Sequence, residues 1–134
     1  MERELKYVTP SGDELDAKIE INRYLSNGCI YIGLLKKEDG YWEPYGNITV
    51  NLREGAPDYC GYLDTNNMSE IERFIKENGI GEFTGWKQRS GFCSYPLYKF
   101  DPEKLRELCP KGMAEYEASI QPVKKDVQEK GRSR

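Results

Sequence analysis

Two neighbouring stretches, Leu15-Asp16-Ala17-Lys18-Ile19-Glu20-Ile21-Asn22 and Tyr24-Leu25-Ser26-Asn27-Gly28-Cys29-Ile30-Tyr31-Ile32-Gly33-Leu34-Leu35, decide the fold class. In the first, Leu15, Ala17, Ile19 and Ile21 alternate with Asp16, Lys18, Glu20 and Asn22, the period-two pattern of a strand with one face buried. In the second, Asn27-Gly28 separates two apolar segments. Both residue types tolerate positive φ, which makes the pair the strongest short-range hairpin signal. Ile30, Ile32 and Leu34 then share one face. Half-buried strands joined by tight turns give an antiparallel sheet, whose apolar face needs a cover.

Working outward, Leu5, Tyr7 and a Ser11-Gly12 turn predict a short leading strand. Asp39-Gly40 is a second turn, and Ile48, Val50 and Leu52 align on a strand over residues 45–52. The result is a meander of three to four strands. A helix over residues 68–78 supplies the cover. Asn67 and Glu70 have the spacing of a capping box, and Met68, Ile71, Phe74 and Ile75 form one stripe. Asn78-Gly79-Ile80 ends it in the manner of a Schellman motif. Residues 82–100 read as a hairpin, or a strand with a long loop, and Pro96 argues against a central strand there. Asp101-Pro102 opens a short helix with Glu103 to Leu108 as its body, ending before Pro110. The predicted fold is α+β: an antiparallel β-meander sheet with one main helix packed on a face and a short C-terminal helix. Residues 1–120 form a single domain and residues 121–134 a basic, flexible tail.

Composition agrees with a folded chain. Ile, Leu, Val and Phe make up about a fifth of the 134 residues, the level near which disorder sets in. The net charge is only −3, however, and ten Tyr and two Trp add buriable area. Five basic residues against two acidic ones give residues 121–134 a charge of +3, so the first 120 carry −6. That balance disfavours a duplex-DNA binder, which needs a basic footprint, and suits a basic partner. No apolar segment has the length of a signal peptide core or a membrane span, which predicts a cytoplasmic protein.

The sequence contains no histidine, which removes the commonest general base and the commonest zinc ligand. No catalytic residue and no cofactor is expected. Cys29, Cys60, Cys93 and Cys109 lack the close pairing of a zinc knuckle, so free thiols and no metal are expected, with a meeting of Cys60 and Cys93 left open. Asp64-Thr65-Asn66-Asn67 fails the EF-hand register and reads as a turn leading into a helix cap. Gly79-Ile80-Gly81 follows a helix and lacks the phosphate-loop ending. Two surface clusters remain. Tyr41, Trp42 and Tyr45, gathered at a turn, have the composition of a protein-binding hot spot. Trp86, Lys87 and Arg89 interleave aromatic and cation as single-strand nucleic-acid loops do.

Tyr62-Leu63-Asp64-Thr65-Asn66-Asn67, Asn78-Gly79-Ile80-Gly81, Thr84-Gly85 and the string from Arg89 through Ser90-Gly91-Phe92-Cys93-Ser94-Tyr95-Pro96-Leu97-Tyr98 to Phe100 carry a resemblance. Over about residues 46–101 the chain resembles a small family known only as a domain of unknown function. Its members are common in gut bacteria and often sit on phage-like or conjugative elements. The resemblance brings no catalytic residues. It implies the accessory cargo of a mobile element, such as an inhibitor of a host defence nuclease of CRISPR–Cas or restriction type. The functional expectation is a non-catalytic protein that binds a protein partner, a basic nuclease or nucleoprotein. The alternative is a single-stranded nucleic-acid-associated accessory module.

Overall fold

Strands β1 (Leu5–Val8), β2 (Glu14–Arg23), β3 (Ile30–Glu38) and β4 (Tyr41–Asn47) follow one another as antiparallel hairpins in the order β1-β2-β3-β4. The computed structural model describes residues 4–120. The expected basic tail, residues 121–134, lies outside the described residues. The alternation in the sequence sets the inner face of this sheet. Ala17, Ile19 and Ile21 of β2 and Ile30, Ile32 and Leu34 of β3 are all buried, with Ile19 opposite Leu34 and Ile21 opposite Ile32. The two turns differ. Asp39 and Gly40 both have positive φ, 53° and 81°, the backbone of a two-residue turn matched to strand twist. Asn27-Gly28 closes a wider loop instead, in which Gly28 alone of the pair has positive φ and the Asn27 side chain accepts from the Cys29 amide at 3.1 Å.

The chain builds a second sheet where one was expected. The strand foreseen over residues 45–52 divides at Ile48: its first part is β4, and Thr49–Val50 is β5 of a sheet ordered β5-β6-β8-β7. The other members are β6 (Cys60–Leu63), β7 (Gly81–Ser90) and β8 (Cys93–Phe100). Ile48 serves both sheets. Its amide donates to the Ile32 carbonyl at 2.8 Å and its carbonyl accepts from the Asp64 amide at 2.9 Å. All four residues of β6 are buried, so it carries no alternation to read. The argument from Pro96 is corrected, because β8 lies inside the sheet. Its ladder to β6 runs only from Cys60↔Lys99 to Tyr62↔Leu97. Pro96 sits beyond that end, where a missing N–H costs the β6 ladder no bond.

Helix α1 (Ile71–Glu77) starts later than the capping box implied. Asn67 does not cap it. The Asp64 carboxylate accepts from the Asn67 amide at 3.3 Å and from Asn67 Nδ2 at 2.9 Å, forming a turn ahead of the helix. Glu70 stands at the N-cap position without a side-chain bond. The other end is as read: Gly79 has φ 65°, and the Gly79 and Ile80 amides donate to Lys76 and Ile75 carbonyls at 3.1 and 3.0 Å. Ile71, Phe74 and Ile75 are buried on the sheet, with the Phe74 ring centroid 5.0 Å from that of Tyr7 on β1. Asp101 caps α2 (Pro102–Leu108) through the Glu103 and Lys104 amides. Helix α3 (Pro110–Ile120) follows without a loop and lies against β2, where a Cβ on Gly112 would stand 2.4 Å from the Ile21 carbonyl oxygen. One continuous hydrophobic cluster joins both sheets and all three helices.

Candidate functional site

Tyr41, Trp42 and Tyr45 share strand β4, but alternation along the strand divides them. Tyr41, opposite Glu38, is exposed. Trp42, opposite Lys37, is half-buried on the outer face, where Lys18 Nζ and Lys37 Nζ lie 4.6 and 5.7 Å from its ring centroid. Two ammonium groups over one indole are favourable cation–π contacts, so much of its face is already covered. Tyr45 falls where the register shifts between Leu34 and Leu35, and its ring packs edge-on to Tyr7 at 5.4 Å.

The largest display of aromatic side chains is elsewhere. Strands β7 and β8 continue past the end of β6, so the part from Lys87 to Pro96 is a two-stranded arm. Its root is a bulge: between the pairs Phe83↔Tyr98 and Lys87↔Pro96, three residues of β7 face one of β8. Gly85 takes φ 93° there. The Thr84 hydroxyl braces the bulge by donating to the Leu97 carbonyl at 2.9 Å and accepting from the Trp86 amide at 3.2 Å. Bulges re-aim side chains and deter edge pairing, and this one presents Trp86 at 58% exposure. At the tip, Gly91 supplies positive φ in a two-residue turn between Ser90 and Cys93, and Phe92 beside it is fully exposed. Lys87 and Arg89, two apart, share one face of the arm. Trp86, Lys87 and Arg89 thus lie on one arm, with Phe92 at its tip and the part-exposed Phe83 at its root. The Gly91 turn signal was legible in the sequence; the length of the arm beyond β6 was not.

The displaced titratable groups answer to burial and to local ion pairs. The Arg106 guanidinium, bonded to Glu117 at 2.9 and 2.7 Å, holds the Glu117 carboxyl below its ordinary value. Burial and then the Glu72 carboxylate raise the Tyr98 phenol, and burial raises Tyr116 to about 12 and the Cys60 thiol above its usual value. Every displaced group among the described residues moves away from neutrality. The four cysteines are free. Cys60 lies opposite Lys99 and Cys93 six residues further along β8, about 20 Å at strand rise, so the two do not meet. Among the described residues no group of three or more Cys, Asp or Glu is placed to hold a metal ion, and no helix is long and apolar enough to cross a membrane.

Comparison with curated proteins and with solved structures gives no match. Residues 18–120 match the family described as Domain of unknown function (DUF4313), and the chain belongs to that family.

Proposed function

We propose that this member of a family without assigned activity is a non-catalytic protein that captures a protein partner through its β7–β8 arm. The observation that carries the reading is the exposed pair Trp86 and Phe92, held out on the β7–β8 ribbon. Exposed Trp and Phe on a turn-stiffened element lose little entropy on docking and are the anchors that dominate interface energies. The acidic body, −6 over the first 120 residues, steers a basic partner such as a nuclease or nucleoprotein. Carriage on a mobile element and inhibition of a host defence nuclease in the cytoplasm are the setting we propose for it. Tyr41 extends the available contact surface.

The test places a photo-crosslinking amino acid at Phe92 and, as a control, at Leu25, which is also exposed but lies in the β2–β3 turn. One discrete protein crosslinked from position 92 and not from 25, and lost with Trp86→Ala, is the expected result. Equal capture by Trp86→Ala and by wild type moves the interface off the arm, with Trp42→Ala as the next variant. Lys87 and Arg89 on one face favour the second reading, a single-strand nucleic-acid contact; crosslinks from position 92 to nucleic acid alone would establish it.

A further inference from the structure

The sheets end in edge strands of very different kinds. Strand β1 is four residues long, β4 contains Pro44 and a register shift, and β5 has two residues. Strand β7 runs for ten residues without a proline, and among the described residues β8 is its one strand neighbour. The turn at its end fixes which main-chain groups face outward. Gly91 has positive φ in the first turn position, the type II′ arrangement, so Ser90 and Cys93 form the hydrogen-bonded pair that closes the hairpin. Bonded and non-bonded pairs then alternate. Gln88 is bonded to Tyr95, while Arg89 and Lys87 turn their N–H and C=O groups away from β8. Pro96 opposite Lys87 agrees with this phase, because that pair needs no N–H. The Gln88 side chain reaches the Arg89 carbonyl at 3.5 Å, the limit of a hydrogen bond.

We infer that this edge receives an extended segment of the protein partner as an added antiparallel strand, with acidic residues two apart opposite Lys87 and Arg89. The inference rests on the arm as the docking element and names what the arm binds. Main-chain bonds to an open edge give affinity, and side chains at alternate positions give specificity. Charge selects the occupant. A second copy of this chain is disfavoured, because antiparallel self-pairing centred on Gln88 sets Lys87 against Arg89, and like charges directly opposite are destabilising. Centring on Lys87 or Arg89 sets each cation against itself. Carboxylates at the same two positions make opposite-charge cross-strand pairs instead. The arm's cations stand on an acidic body, so the fitting partner is basic over its surface and acidic along the strand it lends. A nucleic-acid strand offers phosphates to the cations but no ladder of alternating donors and acceptors to the edge.

The experiment titrates the whole chain with the capped peptide Thr-Val-Glu-Thr-Glu-Val-Thr and follows amide chemical shifts and hydrogen exchange. In the free protein the Lys87 and Arg89 amides should exchange faster than those of Gln88 and Ser90. With peptide at about ten times its Kd, exchange at Lys87 and Arg89 should slow about tenfold. Two control peptides should not bind: one with lysine for both glutamates, and one N-methylated at both glutamates, which keeps the charges and removes the donors facing β7. The double variant Lys87→Glu/Arg89→Glu changes two exposed residues. It should weaken binding of the glutamate peptide about tenfold and gain the lysine peptide. Absence of binding, binding that survives N-methylation, or an unchanged preference in the double variant overturns the proposal. So does an oligothymidylate that shifts the same residues while the glutamate peptide leaves exchange at Lys87 and Arg89 unchanged. The crosslink from position 92 remains a separate readout. A crosslinked partner captured equally by wild type and the double variant overturns strand addition and leaves the arm reading standing. Peptide binding without any crosslink supports strand addition and places the failure in Trp86 and Phe92 as anchors.

Discussion

Tyr59 carries a φ of 65° although it is not a glycine. Such a conformation costs about 1–3 kcal/mol and persists only when its surroundings over-determine it. Three bonds do so: the Tyr59 amide donates to the Tyr116 hydroxyl at 3.0 Å, its carbonyl accepts from the Phe100 amide at 2.8 Å, and its hydroxyl donates to Glu117 at 2.5 Å. Glu117 in turn holds Arg106, so α2, α3 and the entry to β6 meet at one carboxylate. Because the folded-state pKa of Glu117 lies below its ordinary 4.5, its stabilisation is present above the unfolded value and is lost as pH falls through the folded one. Wild type should therefore melt above Glu117→Gln at pH 7, and the two melting temperatures should converge as pH falls through the folded value, below the ordinary 4.5. A difference that persists unchanged to low pH would assign the effect to packing instead. None of these bonds has a local signature, since the partners lie 11 to 58 residues apart. The Asp101 cap and the Gly79 ending were legible because their bonds stay within a few residues.

Helices α1 and α3 are held to the sheets by different means. Helix α1 depends on its stripe, so Phe74→Ala should cost about 3–5 kcal/mol in urea unfolding. A loss under about 1 kcal/mol would remove that stripe from the core. Helix α3 depends on closeness to β2. Alanine is the better helix former by about 1 kcal/mol, yet at position 112 its methyl would meet the Ile21 carbonyl. Gly112→Ala should therefore destabilise by about 1–3 kcal/mol, as overpacking does. A gain in stability would mean that α3 lifts off β2 freely. The arm obeys a third rule. Trp86 and Phe92 are exposed, so Trp86→Ala and Phe92→Ala should leave the unfolding midpoint unchanged while removing at least about 2 kcal/mol of partner binding.

At the scale of the whole molecule, an acidic body behind an aromatic arm makes association the salt-sensitive step. With a basic protein partner, added salt should slow binding far more than it speeds dissociation. If the partner is a nucleic-acid single strand, affinity should instead fall by about 0.7 log units per neutralised phosphate for each decade of salt. Stopped-flow measurement of both rate constants separates the two. Alternation along β2 and β3, the Asp39-Gly40 turn, the α1 stripe and the caps at Gly79 and Asp101 were written in the sequence, because each depends on neighbours within about one turn or one strand step. These fixed an antiparallel sheet covered by helices, and the absence of histidine excluded its chemistry. Other features required the assembled chain. The break at Ile48 is made by Ile32 and Asp64 bonding to it from either side. The burial of β6 depends on what covers its two faces. The length of the arm is set by where β6 stops, and the division of Tyr41, Trp42 and Tyr45 by the register of β4 on β3. Asp64 became a buried charge only when a turn that reads as ordinary punctuation was enclosed between two sheets. Pairing and enclosure are long-range, and no local pattern encodes which distant residues will supply them.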